Sequence, residues 1–296
     1  MKNLLFNLNN RFKFVFTTKF VIYYTYDFLG GINLNNILKT KRLSIFDIKI
    51  IGIILMFIDH IHQMFVPFGI PNWVDWFGRP VATLFFFVSV VGFSHTKSKK
   101  RYMLRLYISM ILMSFLTFFL EKIVHYDQVV LINNIFRDLF IGTLMMAGID
   151  LITSGKKHKN VLNILCGFLL ILLPFISSIL VSIALSNPTI LQNPSIMTFI
   201  MAFMPAIFLA ENGIMVLLIP LLYIFRNNRN IQILIIIIAA LFYLFMGSIQ
   251  WIMIFAIIPI MMYNGQKGKG MKYFFYIFYP AHIVLLYLIS AFLYNH

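Results

Sequence analysis

Charged residues are scarce in this chain, and acidic ones are the rarest. Asp and Glu together number only 9 against 24 Lys and Arg, so that charged residues make up 11% of the sequence and hydrophobic residues 61%. A soluble domain carries about 25% charged residues, and this chain therefore cannot cover a water-facing surface with charge. The shortage excludes an ordinary soluble protein and predicts that most apolar side chains face lipid.

Cysteine is almost absent. Cys166 is the single cysteine of the chain and lies inside an apolar run, which excludes an intramolecular disulfide. We predict no metal site. The formal charge of +15 would suggest a nucleic-acid partner in a soluble protein. Here the basic residues cluster in short loops between apolar runs, so we expect a lipid bilayer and no nucleic acid as partner.

In the first 43 residues Lys19 and Asp27 interrupt the apolar stretch that a signal peptide needs, so we expect no such peptide there. We interpret residues 1–43 as a cytoplasmic arm that lies partly on the membrane interface. Residues 44–296 are predicted to form one transmembrane domain.

Long apolar runs occupy that domain. They predict an all-α polytopic membrane protein of about nine helices, with a range of 8–11, since a span takes roughly 20 residues. The predicted helices are Phe46–Val66, Pro80–His95, Tyr102–Leu120, Ile135–Thr153, Val161–Ile183, Ile196–Phe225, Ile231–Met246, Ile249–Tyr263 and Tyr273–Tyr294. The sixth is interrupted by Glu211-Asn212-Gly213, which is typical of a broken helix or of a re-entrant half followed by a span.

The loops predict the orientation. Five loops are rich in Lys and Arg, and nine spans with an inside N-terminus place all five on one side, while the alternate loops contain almost none. Cytoplasmic retention of basic loops therefore predicts a bacterial cytoplasmic-membrane protein with its N-terminus inside. The basic loops are KTKR, HTKSKKR, GKKHK, RNNR and QKGKGMK.

Ionisable side chains within the spans are candidates for function, because a charge at the centre of a span costs about 2.5–3.5 kcal/mol. Asp59 and His60 lie in the outer half of the first helix, and Arg79 opens the second. His282 lies near the middle of the last helix, two residues after Pro280. We expect these four candidates to border one polar cavity, although a structural role for the Asp59–His60 pair stays open.

A second polar group enters the fourth helix from the outside. Asn134, Arg137 and Asp138 share one helix face, since residues three and four apart lie on the same side. Arg137 and Asp138 either neutralise each other or line the same cavity.

Two motifs stand far apart in the sequence. The first runs through FDIKIIGIILMFIDHI and FGRPVATLFFFVSVVGFSHTKSKKRYMLRL, and the second is MMYNGQKGKGMKYFFYIFYPAHIVLLYL. Together they resemble the TraX family of membrane proteins. Thr83 and Leu84 depart from the family's usual proline before its phenylalanines. The matching residues are Lys49, Leu55, Met56, Asp59, His60, Gly78, Arg79, Phe85, Phe87, Gly92, His95, Thr96, Tyr263, Asn264, Gly265, Gly268, Lys272, Tyr273, Pro280 and His282.

This resemblance implies a membrane-embedded acyltransferase that uses acetyl-CoA as donor, similar to the founding member, which acetylates the N-terminal amine of a conjugative pilin. His60 would then act as general base or carry the acetyl group itself, while Arg79 or Asn134 stabilises the oxyanion, with Asp59 and His282 in the same catalytic site. Acetyl-CoA is expected to dock from the cytoplasm with its phosphates on basic loops. The expected cofactor-binding residues are Lys49, Lys97, Lys100, Arg101, Asn264, Gly265 and Lys267.

Three alternatives remain open from the sequence. An O-acetyltransferase that modifies a hydroxyl of a surface glycan would need the same base. A transporter or proton-coupled carrier could use the same His and Asp residues. A structural membrane subunit of a conjugation or secretion apparatus would need no chemistry. The sequence has no evident internal repeat, which disfavours the transporter.

Overall fold

The computed structural model describes residues 42–295, so nearly all of the predicted arm lies outside the described part. Within this part the chain is helical, with one isolated parallel bridge between Leu43 and Tyr263. The α-helices are α1 Ile45–Phe65, α2 Val81–His95, α3 Lys99–Val124, α4 Ile135–His158, α5 Val161–Leu185, α6 Pro188–Leu191, α7 Pro194–Phe203, α8 Leu218–Ile224, α9 Arg229–Phe245, α10 Ile257–Met261 and α11 Lys272–Asn295.

Several helix starts follow from the side chain that precedes them. Ser44 caps α1 in a capping box with Asp47, and asparagines cap α4, α5 and α9 by accepting a hydrogen bond from the backbone N–H three residues later. Such caps satisfy N–H groups that have no partner within the helix. The predicted beginnings of these helices are therefore close to those observed.

Four stretches in the described residues are long and apolar enough to cross a membrane. They are Asn72–His95, Lys99–Val124, Val161–Leu185 and Tyr273–Asn295. Shorter apolar helices pack beside them, and many large apolar side chains point outward where a soluble protein would carry charge. The chain is an all-α integral membrane protein, as its composition predicts.

The predicted sixth helix, Ile196–Phe225, is not one helix. α7 stops at Phe203, because Met204 precedes Pro205 and takes an extended backbone with ψ 123°. The chain then makes two 3₁₀ helices, Ile207–Leu209 and Gly213–Leu217, before α8 begins. Gly213, with φ +51°, provides the left-handed turn between them. The predicted interruption is therefore observed, and it begins earlier than Glu211, after Phe203.

The predicted eighth helix, Ile249–Tyr263, also differs from the expectation. Its first part is a 3₁₀ helix, Ile249–Ala256, which continues into α10. A 3₁₀ helix rises about 2.0 Å per residue, against about 1.5 Å for an α-helix. This short segment therefore reaches further than an α-helix of equal length.

The two ends of the bundle differ in chemistry. Loops 96–98, 159–160, 225–228 and 262–271 lie at one end, here called the basic end, where Leu43 and Ile45 donate backbone hydrogen bonds to Met262 and Gln266. The opposite end, here called the far end, carries the 3₁₀ helix Asn72–Phe77. Its Trp73 and Trp76 are exposed, which is typical of a membrane-interface aromatic belt.

Candidate functional site

His60 of α1 and His282 of α11 meet inside the bundle. His60 Nδ1 lies 2.6 Å from His282 Nε2, and the two rings are nearly parallel with an interplanar angle of 10°. Only 2% of His60 and 4% of His282 is exposed. Residues 222 positions apart in sequence thus form one buried imidazole pair.

The hydrogen bonds of this pair fix where its protons lie. His282 Nδ1 is 2.7 Å from the Phe278 carbonyl oxygen, which can only accept, so Nδ1 carries the hydrogen. In the neutral ring Nε2 is then an acceptor, and His60 Nδ1 donates to it. His60 Nε2 is left with a free lone pair, which is the atom that a general base uses.

Asn133 lies directly in front of that lone pair. Its Nδ2 is 3.4 Å from His60 Nε2 and 2.9 Å from Gln63 Oε1, while Gln63 Nε2 donates back to Asn133 Oδ1 at 3.0 Å. Asn133 Nδ2 also lies 3.4 Å from Glu211 Oε1. Three acceptors therefore compete for the two hydrogens of one amide group.

Glu211 connects the broken segment to α4 and α11. Its Oε2 accepts a hydrogen bond from the Tyr279 hydroxyl at 2.8 Å and from the Asn134 backbone N–H at 2.8 Å. The Tyr279 ring stands edge-on to both His60 and His282. Glu211 is thus held by three donors beside the histidine pair, and the irregular backbone around it belongs to the polar site.

Arg137 and Asp138 do not pair with each other. Asp138 accepts hydrogen bonds from the backbone N–H groups of Glu211 and Asn212 and from the Asn212 side chain. Arg137 donates to the carbonyls of Leu209 and Met201, at 2.9 Å each, and to a serine hydroxyl. The two side chains hold the broken segment in place from two sides.

Asp59 faces away from His60. Its Oδ1 lies 3.8 Å from an Arg79 guanidinium nitrogen, and Arg79 also forms an ion pair with Asp75 and donates to Gln250 Oε1 at 3.3 Å. Adjacent helical residues point about 100° apart, which places the two candidates on different sides of α1. The structure therefore puts His60 with His282 and Asp59 with Arg79, in two separate polar clusters.

A cavity of ≈ 760 Å³ opens next to Asn133 and Glu211. Its polar wall includes Asn134 and Arg137, whereas none of the four predicted catalytic residues lines it. Arg137 is buried, its Nε has no hydrogen-bond partner, and it forms no ion pair within 4.0 Å in residues 42–295. Asn133 lines this cavity and its Nδ2 lies 3.4 Å from His60 Nε2, so it connects the cavity to the histidine pair.

The residues expected to bind acetyl-CoA lie at the basic end, where four cations, Lys97, Lys100, Arg101 and Lys267, are exposed. Lys49 is half-buried, and its Nζ lies 4.7 Å from the centre of the Phe275 ring. The Asn264 side chain accepts from the Gln266 N–H, and Gly265, with φ +84°, turns the chain between them. The 262–271 loop thus folds over the start of α1.

Sequence reasoning singled out both histidines but missed Asn133, Gln63 and Tyr279. Gln63 lies close to the end of the predicted first helix, where polar residues are common, and Asn133 lies just outside the predicted fourth helix. Tyr279 is one of many tyrosines in an aromatic run. Only the proximity of three separate segments distinguishes these residues from their neighbours.

No curated protein and no solved structure matches the chain. The TraX protein family matches it over residues 44–290, which includes both histidines and the broken segment. A match over most of the chain shows the family, and the chain belongs to the TraX family of membrane proteins.

Proposed function

We propose that this protein is a membrane-embedded acetyltransferase that moves an acetyl group from cytoplasmic acetyl-CoA to an amine, with His60 Nε2 as general base. The observation that carries the proposal is the chain of hydrogen bonds from Phe278 through His282 to His60. It fixes one tautomer and leaves a basic nitrogen directed at a polar cavity. The family resemblance supplies the reaction class.

The proposed step balances as follows. The acceptor nitrogen attacks the thioester carbonyl carbon while its proton passes to His60 Nε2, and the carbon–sulfur bond then breaks. The CoA thiolate leaves and takes up that proton, so the products are an amide and free CoA. His282 acts as a positioning residue, because its Nε2 accepts a hydrogen bond from His60 Nδ1 and so keeps the hydrogen of His60 on that nitrogen.

For the oxyanion, we propose Arg79 or Asn134 as hydrogen-bond donor. The Asn134 side chain donates to the Met110 carbonyl and to Ser114 Oγ, both at 2.9 Å. Arg79 lies with Asp59 in the other cluster. Either group would have to change partners to reach an acyl group at His60.

The test uses purified protein in detergent with radiolabelled acetyl-CoA. We expect His60→Ala to reduce label transfer by roughly 10²–10⁴-fold, the range for loss of a positioned acid–base group. His282→Gln, whose amide oxygen can still accept from Nδ1, should retain part of the rate with a shifted pH profile. The matched control is His158→Ala, at an exposed position of the basic end.

Two outcomes would contradict the proposal. Folded His60→Ala protein with near-normal transfer would remove His60 as the base. Wild-type protein that neither transfers nor hydrolyses the label would favour the carrier or the structural subunit. The stability of the product distinguishes N-acetylation from O-acetylation. Mild alkali cleaves an acetyl ester on a glycan and leaves an acetyl amide intact.

For the donor, we propose that the exposed basic residues of the 96–101 and 262–271 loops attract the CoA phosphates. Reversal of charge at Lys97 and Lys100 together should weaken CoA binding, more strongly at low salt, because exposed charges are screened within about 8 Å at physiological ionic strength. Gln192→Glu, at an exposed position of the far end, is the control. Equal CoA affinity for the reversed and control variants would remove this role.

A further inference from the structure

We propose that the ≈ 760 Å³ cavity at the far end is the acceptor-binding site, and that the Asn133 side chain is a gate which the acceptor displaces to reach His60. This inference rests on the proposed function. It assigns a site and a positioning residue, neither of which follows from the motifs.

The position of the cavity is the first argument. It is bounded by α3, α7, the segment before α4 and the broken segment, and its inner wall includes Asn133, Arg137 and Glu211. These polar side chains are at the same depth as the histidine pair, because Asn133 bonds to both His60 and Glu211. A small polar group at the bottom of the cavity would therefore be one side chain away from His60 Nε2.

The composition of the wall is the second argument. Toward its mouth the cavity is lined by large apolar side chains such as Phe118, Ile132 and Phe208, and Ile132 is 71% exposed. Glu121 and Lys122 border the same opening. The chemistry fits an amphiphilic acceptor, with its nucleophilic group at the polar floor and its apolar part among these side chains.

The over-committed amide of Asn133 is the third argument. Its Nδ2 has three acceptors within 3.4 Å and only two hydrogens, so at least one of these contacts is unsatisfied at any time. The contacts to His60 Nε2 and Glu211 Oε1 are the longest of the three, at 3.4 Å each, so the contact to His60 is one of the two weakest. Rotation of Asn133 toward Gln63 and Glu211 would open His60 Nε2 to the cavity without leaving the amide unpaired.

When the gate is open, the acceptor takes the place of the Asn133 side chain. The N–H or O–H group of the acceptor then donates to His60 Nε2, as the Asn133 amide does in this structure. The closed gate also keeps water from the base when no acceptor is present, which would suppress wasteful hydrolysis of acetyl-CoA.

Diethyl pyrocarbonate tests the gate without relying on enzyme activity. The reagent transfers an ethoxycarbonyl group to an unprotonated imidazole nitrogen and releases ethanol and carbon dioxide. Peptide mapping by mass spectrometry follows His60, with the exposed His125 of the same molecule as internal reference. We expect slow modification of His60 in the wild type and a several-fold faster one, relative to His125, in Asn133→Ala.

Three further variants make the experiment decisive. Asn133→Ser also shortens the side chain in front of His60 Nε2 and should likewise speed the reaction, which covers the case where Asn133→Ala does not fold. Thr198→Trp places a large side chain in the cavity and, combined with Asn133→Ala, should slow the modification of His60 again. Asn228→Ala, an exposed helix cap at the basic end, should leave the His60 rate unchanged.

The outcomes separate the gate, the site and the proposed function. If Asn133→Ala, or Asn133→Ser where the alanine variant does not fold, lets His60 react no faster than in the wild type, the gate is overturned. If Thr198→Trp fails to slow the double variant, His60 is reached by another route and the cavity assignment is overturned. If the modification behaves as expected while no variant transfers or hydrolyses acetyl-CoA, the gate stands and the acetyltransferase proposal fails.

Discussion

Gly78 is a residue whose small size has an identifiable reason. A Cβ atom added to it would overlap the Asp59 carboxylate, which lies against the Gly78 backbone. Its backbone angle, φ −73°, is ordinary, so glycine is needed here for space and not for conformation. The glycine-arginine pair before the second helix therefore places Arg79 beside Asp59.

The residue-scale prediction concerns that contact. Gly78→Ala should displace the Asp59 carboxylate from Arg79 and lower the stability of the folded protein by about 1–3 kcal/mol, the usual cost of overpacking a tight site. The measurement is thermal unfolding in detergent. Gly270→Ala is the matched control, because a Cβ there meets nothing within 4 Å and its φ is not in the left-handed region. Equal melting temperatures for the two variants would contradict the prediction.

At the scale of elements, α4 and α5 form a hairpin that glycine holds closely together. A Cβ on Gly148 would lie 2.6 Å from the Gly167 carbonyl oxygen, and a Cβ on Gly167 would lie 2.7 Å from the Gly148 carbonyl oxygen. Without hydrophobic attraction between helices in lipid, such close backbone contact supplies the packing energy. The hairpin in turn carries Arg137 and Asp138 at its far end.

At the scale of elements, we predict that replacing glycine by alanine changes stability in opposite directions at two positions. Gly92→Ala in α2 should leave stability unchanged or raise it by up to about 1 kcal/mol, because alanine favours a helix and the nearest atom is 3.7 Å from the new Cβ. Gly148→Ala gains the same propensity but forces α4 and α5 apart, so its melting temperature should fall. A rise for Gly148→Ala would show that the hairpin tolerates separation.

At the scale of the whole molecule, the basic end identifies one face of the membrane. Exposed positions at that end include Lys157, Asn227 and Lys269, and Gln192 lies at the far end. The excess of Lys and Arg in short loops favours the cytoplasm for the basic end. We therefore expect the orientation proposed from the sequence, with the loops of the basic end inside.

Cysteine labelling tests this orientation. In a Cys166→Ala background, single cysteines at Lys157, Asn227 and Lys269 should react with an impermeant maleimide only after the cells are permeabilised. Cysteine at Gln192 should react in intact cells, which makes it the control for access. Labelling of Asn227→Cys from outside would contradict the loop assignment, although it would leave the family membership unaffected.

Hydrophobic composition and loop charge were sufficient to predict the fold class from the sequence. The boundaries of α1, α2 and α5 agree closely with the predicted helices, because capping residues and long apolar runs act locally. The interruption of the sixth helix was predicted at Glu211-Asn212-Gly213, but α7 already ends at Phe203. Whether Glu211 lies in lipid or against protein depends on partners from α4 and α11, which no local pattern specifies.

The sequence by itself determined that this is an all-α membrane protein of the TraX family and that His60 and His282 are candidates, since composition and motif spacing are local properties. Only the tertiary structure decided that His60 pairs with His282, that Asp59 turns to Arg79, and that Asn133 stands between His60 and a cavity. The physical reason is that hydrogen-bond partners are chosen by helix rotation and packing. Helix rotation and packing depend on contacts between segments that are distant in sequence, and the two histidines are 222 residues apart.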